Sequence, residues 1–108
     1  MQETNVEAFI HSLDPARVSE KIEEKVRPLC SSVFHAGCAT FYSLPGGKAA
    51  IKTADSGIIV WVSARNMLDF YGILTVLSGY ISLVTSTLTE IHWQPANETP
   101  FQETVKTR

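Results

Sequence analysis

From Phe70 to Thr89 the chain runs for twenty residues without one charged side chain. The polar positions in that stretch are small: Gly72, Thr75, Ser78, Gly79, Ser82 and Thr85. They recur three or four apart beside a broad apolar surface of Tyr71, Ile73, Leu74, Val76, Leu77, Tyr80, Ile81 and Leu83. That spacing predicts a helix entered through Ala64-Arg65-Asn66 and running to about Val84. A helix on the surface of a globular domain carries lysine and glutamate opposite its core stripe. This one has no such side. It is therefore expected to be buried more fully than a 108-residue monomer can manage, with Tyr71, Leu74, Leu77, Tyr80 and Ile81 against another copy of the chain in a homodimer. Gly72, Thr75 and Gly79 would let two helices approach closely.

The same stretch raises a membrane reading, since Met67 to Val84 reaches the lower end of a bilayer-crossing length. Asp69 near its start, the repeated Thr, Ser and Gly, and strands on either side favour a domain helix instead. No basic start followed by an apolar run is present, so a cytoplasmic protein is expected.

The residues ahead of this helix alternate and turn as strands do. Cys38–Leu44 is followed by Pro45-Gly46-Gly47, Lys48–Ala54 by Asp55-Ser56-Gly57, and Ile58-Ile59-Val60-Trp61-Val62 is the strongest β signal in the chain. Short turns between consecutive strands favour an antiparallel meander. The third strand is apolar on both faces, which predicts that the side away from the helices is also covered.

Asp14-Pro15 is a helix start, with Asp14 as cap and Pro15 where its missing N–H costs nothing. Val18, Ile22, Val26, Leu29 and Val33 form one apolar stripe, so a first helix is predicted from Pro15 to about Val33, with a weak point at Arg27-Pro28. Thr87–Gln94 is expected to close the fold as a strand. The predicted architecture is an α+β, two-layer domain in the order helix, three-stranded antiparallel meander, helix, strand. It spans residues 14–95, with a loosely ordered segment at 1–13 and a polar tail at 96–108.

The arrangement resembles a family of small bacterial proteins catalogued as a domain of unknown function, some of them joined to siderophore-interacting flavin reductases. The resemblance runs from about Val26 to Pro95. It rests on Leu29-Cys30 with nearby His35, the turn at Gly46-Gly47, Asp55-Ser56-Gly57 before a strand, and Ile91-His92-Trp93. It implies an accessory role beside iron or redox handling and carries no established activity. The uncharged second helix and the single histidine after the first helix depart from the family's pattern.

Charge narrows the partners. The formal net charge is −2, and Lys21, Lys25 and Arg27 are interleaved with Glu20, Glu23 and Glu24, a solvated helix face rather than a phosphate-binding stripe. Nucleic-acid binding is not expected. Cys30, His35 and Cys38 are the residue types that hold zinc or another soft metal, but their spacing matches no standard structural site, and burial of two plain thiols is the simpler account. Trp61 and Trp93 would serve as walls for a flat ligand, or as ordinary core tryptophans. His92 and Glu90 share a strand face, the nearest thing to a catalytic pair. No paired-carboxylate site, phosphate-cradling loop or dinucleotide fingerprint is present. A non-enzymatic binding or accessory domain that self-associates through the second helix or the open sheet face is the leading expectation. The alternative is a small-molecule or metal-binding module using Trp61 and Trp93 or Cys30, His35 and Cys38, and no particular cofactor is implied.

Overall fold

The β-branched run around Trp61 lies in β5 (Gly57–Ala64), inside a six-stranded antiparallel sheet. The computed structural model describes residues 3–85 and 91–101. Among these, the chain forms β1 (Thr4–His11), α1 (Pro15–Val26), β2 (Ser32–Ala36), β3 (Ala39–Leu44), β4 (Gly47–Ala54), β5, α2 (Met67–Thr85) and β6 (Gln94–Pro95). The sheet order is β2-β3-β4-β5-β1-β6. The chain is an α+β protein, and the three strands expected between the helices are β3, β4 and β5.

Both helices cover one face of the sheet. Val18, Ile22 and Val26 of α1 and Phe70, Ile73, Leu77 and Ile81 of α2 meet Ala8, Ile10, Tyr42, Ile51, Ile58, Val60 and Val62 in one core. Asp14 caps α1 by accepting from the Arg17 amide at 3.4 Å, and Asn66 starts α2 by accepting from the Asp69 amide at 2.8 Å. The turn before β4 requires glycine: Gly46 has a φ of +86°, and a Cβ there would lie 2.3 Å from the Asp69 carboxyl carbon.

Three expectations are corrected. Within the segment expected to be loose, 1–13, Thr4–His11 is a strand paired along its whole length with β5, from Thr4 opposite Ala64 to His11 opposite Gly57. Val6, Ala8 and Ile10 alternate onto the helix-side core, and the pairing partner lies far along the chain, where local signals cannot point. The first helix ends at Val26, passes through a 3₁₀ turn at Arg27–Leu29, and yields to β2. Pro28 lacks the donor that would continue it, so Val33 reaches the same core from a strand opposite Tyr42. Among the described residues the closing strand is Gln94–Pro95. Residues 87–90 of the expected Thr87–Gln94 lie outside the described residues, and among the described ones Gln94 and Pro95 pair with Glu7 and Val6. Pro95 is tolerated there because β6 is an edge strand.

Candidate functional site

The feature that stands out is the outward side of α2. Its inner side is filled by Phe70, Ile73, Leu77 and Ile81, all buried. Turned to solvent are Leu68, Tyr71, Gly72, Thr75, Gly79, Ser82 and Leu83, with Met67 and Val76 at the margins. Leu68 is 85 % exposed, Leu83 67 % and Tyr71 58 %. The residues expected to mediate self-association are therefore divided. Tyr71 is available, Leu74 and Tyr80 are half-buried against the core, and Leu77 and Ile81 belong to the core of the monomer. A helix apolar all round does not announce which side its own sheet will take, and the sheet took the Leu77–Ile81 side. By length and mean hydropathy (1.6 over an 18-residue window) α2 also meets the composition of a bilayer-crossing helix.

The sheet face away from the helices carries the aromatic row Phe34, Phe41 and Trp61, aligned through the pairings of Phe34 with Phe41, Phe41 with Ala50 and Ala50 with Trp61. The chain itself covers much of it. The Ala96 amide donates to the Asn5 carbonyl at 2.9 Å, the Trp61 indole N–H donates to the Asn97 carbonyl at 2.9 Å, and the Phe101 ring approaches Phe41 at 6.3 Å. Residues 96–101 thus form a strap under which Trp61 is only 2 % exposed. A cavity of about 490 Å³ remains beneath it, lined by Glu7, Lys52, Ile59 and Thr99 among others. The covered far face is therefore satisfied in part from within the chain.

Trp61 and Trp93 do not form two walls of one site. Trp93 packs against the helix-side core, whereas Trp61 lies on the opposite face beneath the strap. Period-two alternation explains the separation: Gln94 is opposite Glu7, and Glu7 is opposite Trp61, so Gln94's neighbour turns the other way. Glu90 lies outside the described residues, and His92 is exposed.

Nor are Cys30, His35 and Cys38 gathered into a metal site; among the described residues no group of three His, Cys, Asp or Glu side chains is placed to hold an ion. Cys30 donates its thiol to the Val26 carbonyl at 3.4 Å, and burial pushes its pKa up against the opposing charge of Arg27. Cys38 is exposed beyond the far end of β2. His35 instead bonds Glu23 of α1 through Nε2 at 2.8 Å, and Glu23 also pairs with Arg27. Burial works to raise the Glu23 carboxyl, but hydrogen bonds from His35 and Arg27, together with their charges, outweigh it and hold the group below its ordinary value. Sequence reasoning missed Glu23 because it was read as one of several solvated charges; its place beside the apolar stripe, next to Ile22 and four before Arg27, was the available signal.

A second opening, of about 860 Å³, lies where the end of α2 meets β1 and the β4–β5 turn. Ile10, Val18, Ile81, Val84 and Ile91 line it, and His11 and His92 stand among its polar residues.

No match was found. Comparison with protein-family models, with curated proteins and with solved structures gave no relative of this chain. The family resemblance drawn from Leu29-Cys30, Gly46-Gly47 and Ile91-His92-Trp93 gains no support from these comparisons.

Proposed function

We propose that the protein is a non-enzymatic accessory domain that self-associates through the outward face of α2. The observation that carries this reading is exposure without charge: Leu68, Leu83, Tyr71, Met67 and Val76 present to solvent the equivalent of about three whole side chains per copy. At roughly 1.5–3 kcal/mol for each large apolar side chain buried, covering that surface on two copies contributes on the order of 9–18 kcal/mol. Association costs about 4–15 kcal/mol in lost freedom, so the balance supports a dimer of modest affinity. Soluble monomers rarely leave so continuous an apolar patch in water. A bilayer surface is a weaker occupant, because helices lying in that interface carry lysine and arginine on their flanks, and α2 from Phe70 to Thr85 carries none.

Leu68→Glu and Leu83→Glu test the reading by sedimentation velocity at tens of micromolar protein. Both variants are expected to keep the wild-type far-UV spectrum and to sediment as monomers. A wild-type sedimentation profile in both would overturn it.

A second reading has its own observation: the apolar opening with His11 and His92 among its polar lining has the size of a small-molecule site. It predicts an amphipathic ligand that co-purifies with the protein and is lost in His11→Phe with the fold intact.

A further inference from the structure

We propose that two copies pair through α2 in antiparallel orientation, about a two-fold axis passing between Thr75 and Val76. The proposal rests on the self-association argued above and adds its geometry.

The first support is glycine that one copy does not require. Gly72 and Gly79 face solvent, neither has a left-handed φ, and a Cβ built on either would meet nothing within 4 Å. Glycine inside a helix is destabilising relative to alanine. Two of them on the exposed side, two turns apart, have no account within the monomer. A second backbone lying close against α2 supplies one, since helix separation is set by the side chains at the contact.

The second support is symmetry along the helix. About the point between Thr75 and Val76, Leu68 mirrors Leu83, Gly72 mirrors Gly79, and Tyr71 mirrors Tyr80. An antiparallel two-fold sets each residue opposite its mirror in the other copy. Glycine then meets glycine at two places near the centre, where the backbones approach, and leucine meets leucine at both ends. A parallel pair would also match like with like, but it would bring together the two N-terminal turns, Arg65 near Arg65 and Asp69 near Asp69, and set the helix dipoles side by side. The antiparallel pair opposes the dipoles and lays each charged turn against the uncharged Ser82–Thr85 end. A helix of this length presents a face about 28 Å long and about 10 Å wide. Two such faces total about 560 Å² in projection, and somewhat more with their corrugation, the size of a small and transient interface. The occupant that fits is a second copy, held at micromolar rather than nanomolar strength.

Disulfide trapping tests the register, in full-length protein with Cys30 and Cys38 changed to serine. Thr75→Cys is expected to form a cross-linked dimer on mild oxidation. Leu68→Cys alone is expected to stay monomeric, because its counterpart would lie about 22 Å away along the helix, beyond the ~7 Å Cα separation a disulfide can span. Mixed with Leu83→Cys it should give the cross-linked heterodimer. As an independent check, Gly79→Leu should fold as the wild type does and raise the dimer dissociation constant at least ten-fold. Self-linking of Leu68→Cys would overturn the antiparallel register. A wild-type dimer that none of these cysteines traps, or that Gly79→Leu leaves unchanged, would overturn the proposed pairing while leaving self-association standing through another surface. Monomers throughout would sink both.

Discussion

Two leucines about two and a half turns apart on α2 have opposite duties. Leu68 is 85 % exposed and Leu77 is 1 % exposed, so truncation should separate them. Leu77→Ala is expected to cost about 2–5 kcal/mol, as other large-to-small core changes do, whereas Leu68→Ala should fall within about 0.5 kcal/mol in the monomer. Urea unfolding at low protein concentration checks both; equal losses would contradict the assignment of sides. Glu23 gives a prediction in pH. Its carboxyl is held below the ordinary value of 4.5, so the stability that comes from its ionisation is fully present above about pH 4.5 and disappears as the pH falls through the lowered folded value. His35 and Arg27 are more than half exposed, so the amount is at most about 1 kcal/mol. Wild type and Glu23→Gln should differ in stability near pH 6 and converge as the pH falls below the lowered folded value. Parallel curves across that range would show the pairs to be idle.

At the scale of elements, the strap over the sheet is open to a direct test. Removing residues 96–108 takes away the Asn97 carbonyl that holds the Trp61 indole and the Phe101 ring beside Phe41. Trp61 fluorescence should shift to the red and become accessible to acrylamide; an unchanged spectrum would mean the strap is not what shields it. The strands from Cys38 to Val62 were legible because each is bounded by glycine or proline turns and the last is rich in β-branched residues. The helices were legible from the Asp14-Pro15 start and from apolar spacing. The first strand was not, because Val6, Ala8 and Ile10 acquire meaning only opposite Val62, Val60 and Ile58, more than forty residues away. The split of Trp61 and Trp93 between the two faces was equally hidden, since the position of β6 beside β1 sets the phase of its alternation and no local signal fixes it. On α2 the charge-free run identified a helix needing cover on more than one side, but an all-apolar circumference could not tell Leu68 from Leu77.

The whole molecule is one arrangement: a six-stranded sheet whose helix side forms the core, whose far side is partly strapped by its own chain, and whose second helix keeps an uncharged side in water. The first of these surfaces is satisfied within a single copy, the second in part, and the third is not. Dimerisation should therefore leave the strap and the Trp61 environment unchanged while it protects α2. The most direct measurement is a native mass spectrum of the purified protein across one to one hundred micromolar, taken without chelator. Self-association through α2 is expected to give a monomer–dimer equilibrium that moves to the dimer mass over that range, with no additional mass on either species. A monomer at every concentration, or a constant added mass on each subunit, would contradict it.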